Sequence, residues 1–175
     1  RINQDVLQAF LKKLSFPSEY NKNLLPLGLY PVSPLDTASR ATSFARNGSF
    51  VMPRFISEII SGNESKRKTE PINISEQVFS PSVCQVISRA MQRCAASGTG
   101  AAANDISNRV HVKTGSSSDS LSLYQSKATT AFLWVGQSST NTDLKMSGGK
   151  LAAPRLADFY RALLKIRPDL TPIWI

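Results

Sequence analysis

The stretch VHVKTGSSSDSLSLYQSKATTAFLWVG, residues 110–136, decides the predicted fold of this chain. It contains three short segments rich in β-branched, aromatic and alternating apolar residues, which is typical of strands. These segments are residues 110–114, 121–125 and 129–135. Turn-forming residues separate them at 116–119 and 126–127. Strands joined by such short turns run antiparallel, so the sequence predicts an antiparallel sheet.

Helices are predicted before and after these strands. The first is indicated by apolar residues at helical spacing and is stopped by Pro17; its apolar residues are Ile2, Val6, Leu7, Phe10, Leu11 and Leu14. The second, rich in small residues, covers 35–45 and ends at Asn47-Gly48 in the position of a left-handed cap. A third starts at Ser80-Pro81 and ends at residues 98–100, and a last one has the stripe Leu156, Phe159, Tyr160, Leu163 and Leu164. This order predicts an α+β domain whose helices cover an antiparallel sheet.

Between the second and third helices, residues 50–60 favour a strand, and Ser61-Gly62-Asn63 supplies the turn of a hairpin. The run Lys66-Arg67-Lys68 that follows is predicted to lie in a solvated loop. A net charge of +9 suggests nucleic acid as a partner. No aromatic residues interleave with this run to stack on bases, so no nucleic-acid partner is expected.

Composition predicts a single globular unit, because the 175 residues have an ordinary 41% hydrophobic content. No run approaches the roughly 18 apolar residues of a membrane span. The first residue is Arg1 rather than methionine, so we expect a further segment upstream. Cys84 and Cys94 lie ten residues apart on one predicted helix, too far for a disulfide, and are expected to be free thiols without a metal.

The triplet Lys113-Thr114-Gly115 is the most informative motif, although a Lys-Ser/Thr-Gly triplet alone is weak evidence. It lies at a strand end and is followed by the turn 116–119, a returning strand and Phe132-Leu133-Trp134-Val135-Gly136. This arrangement resembles the Lys-Thr-Gly-Thr-Thr-x-Asp hairpin and the Val-Trp-Val-Gly strand of class A penicillin-binding proteins. The resemblance implies the fold of penicillin-binding transpeptidases and serine β-lactamases.

Other stretches resemble further motifs of that family, in the same order along nearly the whole chain. Residues 27–38, LGLYPVSPLDTA, are similar to its Leu-Gly-x-x-x-Val-Thr-Pro-Leu-Glu-x-Ala signature, and residues 44–48, FARNG, to its Phe-Ala-Asn-Gly-Gly. Ser97-Gly98-Thr99-Gly100 stands where the family has a Gly-Thr. Gly148-Gly149 with Ala152-Ala153-Pro154 resembles the start of its final helix.

The resemblance implies roles for the Lys-Thr-Gly strand in acyl transfer, which needs charge, a strand edge and oxyanion donors. Lys113 would supply positive charge, and the hydroxyls of Thr114 and Ser116 would bind the terminal carboxylate of the substrate. Gly115 would let the substrate backbone approach closely, and the backbone N–H of Ser116 would serve the oxyanion hole. The alternative is an ordinary strand ending in a turn.

The nucleophile of this family lies in a Ser-x-x-Lys motif, followed by Ser-x-Asn and then by Lys-Thr-Gly. Three stretches match these patterns only formally, in the wrong order or context. They are Ser65-Lys66-Arg67-Lys68, Ser61-Gly62-Asn63 and Ser139-Thr140-Asn141. We interpret them as accidental, so no catalytic residue is assigned in this chain. The serine and its lysine are expected upstream of Arg1.

His111 precedes Lys113 by two residues and therefore points to the same face of the strand. Family members use lysine and serine chemistry, so His111 is interpreted as an ordinary strand histidine rather than a general base. Together with Val112 it replaces the family's usual Ala-Gly, so the packing beside the site is expected to depart from the family's pattern.

The resemblance implies that residues 1–175 are the C-terminal portion of a D,D-transpeptidase domain that cross-links peptidoglycan stem peptides ending in D-Ala-D-Ala and binds β-lactams. The expected location is the outer face of the bacterial cytoplasmic membrane or the periplasm, with an upstream anchor and no cofactor. The N-terminal half of the same protein is an expected partner, because the family resemblance implies that the strand at 129–135 pairs with a strand from the segment before the nucleophile. The alternatives are a non-catalytic remnant or scaffold and a hydrolase relative, either a carboxypeptidase or a β-lactamase.

Overall fold

The computed structural model describes residues 3–14, 16, 32–62, 64–68, 76–126, 128–136 and 144–170, with 64–68 described by their backbone. Its first elements are α1 (Gln4–Lys13), α2 (Pro34–Ala45), β1 (Ser49–Phe50), β2 (Glu58–Ser61), β3 (Glu64–Lys68) and β4 (Glu76–Gln77). These are followed by α3 (Pro81–Ser97), a 3-10 helix (Ala101–Ile106), β5 (His111–Ser116), β6 (Ser120–Gln125), β7 (Thr130–Val135), α4 (Ala152–Ile166) and a final 3-10 turn (Pro168–Leu170).

The main sheet has the order β5-β6-β7, and both strand pairs are antiparallel. Its strands begin and end within one or two residues of the prediction. The first turn is closed by the backbone N–H of Ser117, which donates to the carbonyl of Asp119 at 2.9 Å. At the second turn the Ser126 hydroxyl accepts from the backbone N–H of Thr129 at 3.1 Å. The predicted antiparallel sheet is confirmed.

Helix ends follow the predicted signals because the residues there satisfy backbone groups that a helix leaves unpaired. Ser33 caps α2 by accepting from the backbone N–H of Asp36, and Ser80 caps α3 by accepting from that of Val83. After α2, Asn47 and Gly48 both have positive φ, at 53° and 94°. A Cβ on Gly48 would lie 2.0 Å from the carbonyl oxygen of Phe79, so this cap requires glycine.

Helices cover both faces of the sheet. On one face, Val112 and Tyr124 are fully buried and belong to the same core cluster as Leu156 and Tyr160 of α4. The Tyr124 hydroxyl donates to the carbonyl of Ala153 at 2.8 Å, which ties β6 to the start of α4. On the other face, Leu123 clusters with Ala41 of α2 and Met91 of α3. The α+β architecture is confirmed, with the sheet between two helical layers.

The predicted strand at 50–60 is wrong over its centre. Only Phe50 and residues 58–60 are in strands, and 51–57 have no regular structure. Pro53 lies in this gap, and proline has no N–H to donate to a ladder. The loop assignment of Lys66-Arg67-Lys68 is also wrong, because these residues lie in β3, which pairs with β2 around Gly62 at φ 66°. A two-stranded hairpin outside the main sheet tolerates a charge run that a central strand would not.

Both cysteines are free, as predicted from their helical separation. Cys84 is buried and Cys94 is partly buried on α3. Residues 139–141, Asn63 and residues 17–31 lie outside the described residues, so the predictions that fall on them remain predictions. Within the described part of the chain, no helix is long and apolar enough to cross a membrane.

Candidate functional site

The Lys-Thr-Gly triplet lies on β5, at an edge of the main sheet. Among the described residues β5 pairs with β6 alone, so its other side has no strand neighbour. Lys113 and Ser116 are exposed, whereas Thr114 is only 8% exposed. Strand alternation puts Lys113 on the face of α2 and α3 and puts Thr114 and Ser116 on the face of α4. The predicted site residues therefore flank one sheet edge from both faces rather than sharing a single face.

The turn after the triplet is held by side chains of the turn and of β7. Asp119 Oδ2 accepts from the indole N–H of Trp134 at 2.9 Å, and the backbone N–H of Asp119 donates to Ser117 Oγ at 3.2 Å. Gly136 lies so close that a Cβ on it would be 2.1 Å from the Trp134 ring. Asp119 of the Lys-Thr-Gly hairpin therefore contacts Trp134 and Gly136 of the following strand across the end of the sheet.

The loop after α3 packs on the same strand from the α4 side. A Cβ on Gly100 would lie 2.5 Å from Val112 Cγ1, so only glycine allows the loop to come this close. Thr99 Oγ1 lies 2.5 Å from Thr114 Oγ1 and 3.5 Å from Cys94 Sγ. The Gly-Thr motif thus contacts the Lys-Thr-Gly motif directly through a pair of hydroxyls.

The Gly148-Gly149 segment crosses the end of the β5–β6 hairpin. A Cβ on Gly148 would lie 2.2 Å from the carbonyl oxygen of Gly115, and one on Gly149 would lie 2.6 Å from that of Thr99. The Gly148 amide donates to Ser116 Oγ at 2.9 Å. Since Ser116 Oγ accepts this bond, its own proton can still be donated to a ligand.

Lys113 supplies the positive charge at this edge, and its Nζ donates to the backbone carbonyl of Thr114. His111 differs from Lys113 although both are on the same face: it is only 3% exposed. Burial lowers the pKa of His111 to about 4, so the imidazole is neutral near pH 7. His111 is a packed strand histidine, as the sequence suggested.

Three of the predicted motifs converge on β5, but the contacts between them were not predicted. It predicted neither the Thr99–Thr114 pair nor the contact of Gly148 with Gly115. The available signal was the threonine of the Gly-Thr motif and the first glycine of the Gly-Gly motif.

Elsewhere, an apolar cavity of about 460 Å³ lies between α1 and α2, lined by residues such as Phe10, Leu14 and Phe44. None of the three motifs that converge on β5 lines it. The described residues hold no cluster of three or more His, Cys, Asp or Glu side chains suited to a metal ion.

Comparisons with known proteins identify the fold of this chain. The chain is similar in structure to the penicillin-binding protein PonA1 of Mycobacterium tuberculosis, with a TM-score of 0.68 and 18% identity over 82% of the chain. It is also similar to penicillin-binding protein 2B of Streptococcus pneumoniae, with a TM-score of 0.58 and 16% identity over 87% of the chain. It spans 41% of the first protein and 27% of the second. Identities this low show a shared fold.

Among curated proteins none matches the chain. The family model for the penicillin-binding protein transpeptidase domain matches residues 14–152, which include the strands β5, β6 and β7 and the loops that converge on them. That match extends over most of the chain, from the end of α1 to the start of α4. The chain therefore belongs to the penicillin-binding protein transpeptidase domain family.

Proposed function

We propose that this chain is part of a class A, serine-type D,D-transpeptidase that cross-links peptidoglycan stem peptides and is acylated by β-lactams. One observation supports this most strongly: the Gly-Thr, Lys-Thr-Gly and Gly-Gly segments meet at a sheet edge with an exposed lysine. A strand edge can pair with an extended peptide, and the lysine supplies an electrostatic field for its terminal carboxylate.

In the proposed reaction a serine outside residues 1–175 attacks the carbonyl carbon between the two D-alanines of a stem peptide. An ester bond to the serine forms, the C–N bond breaks, and the terminal D-alanine leaves with a proton. The amine of a second stem peptide then attacks the ester, forms the new amide and releases the serine. β-Lactams react by the first step alone. The ring opens when the C–N bond breaks, but the amine stays attached to the acyl group and does not leave the site.

The last four residues of β5 each have a role in this proposal. Lys113 attracts the substrate carboxylate, and the hydroxyls of Thr114 and Ser116 donate to it. Gly115 leaves room for the substrate backbone beside the strand. The backbone N–H of Ser116 is one of the donors to the oxyanion that forms on the attacked carbonyl.

The serine and its lysine would belong to a complementing portion, either joined to this chain or bound as a separate polypeptide. This portion would also provide the strand that covers β7 and the anchor that holds the enzyme at the outer face of the cytoplasmic membrane. A non-catalytic scaffold of the cell-wall machinery would keep the same packing but would not form an acyl-enzyme, so acylation separates the two functions.

The test is acylation of the complete transpeptidase by a fluorescent penicillin, with the adduct located by peptide mass spectrometry. We expect covalent labelling on a serine outside residues 1–175. Lys113→Ala should slow acylation by about ten- to a hundredfold, as expected for loss of a charged partner, with little change in stability because Lys113 is exposed. Lys165→Ala, an exposed lysine on α4, is the matched control and should label at the parent rate. Equal rates for Lys113→Ala and the parent would remove the role of β5.

A further inference from the structure

Three polar side chains form a continuous chain of contacts from α3 to the Lys-Thr-Gly strand. Cys94 Sγ lies 3.5 Å from Thr99 Oγ1, which lies 2.5 Å from Thr114 Oγ1. In both contacts either atom can be the donor. The direction of these bonds decides what Thr114 can offer to a ligand.

A hydroxyl has one proton and two lone pairs, so it donates once only. If Thr114 donates to Thr99, its proton is used inside the protein, and a carboxylate at β5 would meet only oxygen lone pairs. If Thr99 donates to Thr114, the Thr114 proton is available for the carboxylate. The second direction is available when Cys94 donates its S–H to Thr99, because Thr99 then keeps its own single proton to donate to Thr114.

The loop holds Thr99 firmly in this place. The backbone N–H groups of Gly98 and Gly100 both donate to the carbonyl of Cys94, at 3.0 and 3.1 Å. Gly100 is packed against Val112, and Gly149 is packed against the carbonyl oxygen of Thr99. Thr99 therefore cannot move away from Thr114 without displacing two glycine contacts.

The second hydroxyl of the strand is arranged in the same sense. Ser116 Oγ accepts from the Gly148 amide, and an amide cannot accept in return, so the Ser116 proton is directed elsewhere. The Gly148 amide thus orients the Ser116 hydroxyl by donating to one of its oxygen lone pairs. The Thr99 hydroxyl would do for Thr114 what the Gly148 amide does for Ser116.

We propose that Thr99 is a positioning residue that donates to Thr114 and so leaves the Thr114 proton for the substrate carboxylate, with Cys94 completing the chain behind it. This role rests on the proposed transpeptidase function and concerns the carboxylate of the ligand. It predicts that Thr99 matters for ligands with a negative charge at this position and not for neutral ones.

The experiment compares acylation of the complete transpeptidase by a penicillin and by its methyl ester, which lacks the charge. Thr99→Val keeps the shape of the side chain and removes the hydroxyl, and Thr99→Ser keeps the hydroxyl. For Thr99→Val we expect the acid-to-ester ratio of second-order rate constants to fall by up to about tenfold, because the Thr114 hydroxyl loses the donor that directs its proton and its hydrogen bond to the charged carboxylate is weakened or lost. Thr99→Ser should keep the parent ratio, and Cys94→Ala should lower it by only about two- to threefold.

A thermal unfolding curve for each variant separates loss of fold from loss of positioning. If Thr99→Val does not fold, Thr99→Ala, which has no branched side chain to accommodate, takes its place. If the acid-to-ester ratio of Thr99→Val equals that of the parent, whether or not both reactions slow, the inference is overturned while the parent enzyme still reacts. A parent that reacts with neither compound overturns the proposed function, and the role of Thr99 falls with it.

Discussion

The two edges of the main sheet, β5 and β7, have similar backbones and very different side chains. Each is paired on one side only within the described part of the chain. The β5 edge presents the exposed polar residues Lys113 and Ser116. The β7 edge has half-buried Phe132 and Leu133 and an exposed Trp134. A polar edge can stay in water and accept a peptide reversibly, whereas an apolar edge needs permanent cover.

The largest expected effect concerns the β7 edge. We expect residues 1–175 purified alone to associate rather than to form a folded monomer, because an uncovered apolar strand edge is a template for aggregation. Analytical ultracentrifugation and urea unfolding measure this, with the complete protein as the control. A monodisperse monomer that unfolds cooperatively would contradict the two-part account. Its labelling by a fluorescent penicillin would reveal a nucleophile within this chain.

The next effect concerns the start of β5, where His111 is buried although Lys113 is exposed. The folded-state pKa of about 4 lies below the unfolded value of about 6.5, so folding favours the neutral imidazole. Above pH 6.5 the imidazole is neutral in both states, and the full stability is present. As pH falls from 6.5 toward 4, the unfolded state binds a proton that the folded state does not, so the free energy of unfolding falls by up to about 1.4 kcal/mol per pH unit.

Urea unfolding of the complete protein between pH 7.5 and pH 4.5 measures this slope. His111→Gln removes the titrating group and serves as the control for other groups that protonate in acid. The parent should lose more stability on acidification than the variant. Parallel stability curves for the two proteins would show that His111 stays accessible to protons.

A smaller effect is expected where the Gly148 loop crosses the hairpin. Gly148→Ala places a Cβ against the carbonyl oxygens of Gly115 and Leu121, and backbone atoms cannot turn aside as a side chain can. The expected cost is about 1–3 kcal/mol of unfolding free energy, together with slower acylation because β5 shifts. Lys150→Ala, an exposed position in the same segment, is the matched control for stability. A Gly148→Ala protein as stable and as reactive as the parent would separate this loop from the site.

The smallest effect concerns the link between the two edges. The Trp134–Asp119 hydrogen bond joins β7 to the turn that follows β5. Because both groups are partly exposed, a double-mutant cycle of Trp134→Phe and Asp119→Ala should give a coupling of about 0.5–1 kcal/mol. Additive losses from the two substitutions would mean that the edges are not connected through this bond.

Local rules predicted the elements with clear signals, and long-range packing determined the rest. Alternation and turns predicted β5 to β7, Asn47-Gly48 predicted the end of α2 and Ser80-Pro81 the start of α3, because these patterns act over a few residues. The basic run in β3 was misassigned because charge alone does not distinguish a loop from an outlying hairpin. The role of the Lys-Thr-Gly triplet was predicted through the family resemblance alone. The Thr99–Thr114 and Gly148–Ser116 bonds join residues 15 and 32 positions apart, which no local pattern specifies.

We expect the β5 edge to receive the substrate backbone, and amide hydrogen exchange can detect this. The complete transpeptidase is measured free and after acylation by a β-lactam, and exchange is followed in peptides from β5 and from β7. We expect slower exchange in residues 113–116 after acylation and no change in residues 130–135, since a bound ligand would pair with the polar edge alone. Unchanged exchange across β5 in a fully acylated protein would contradict it.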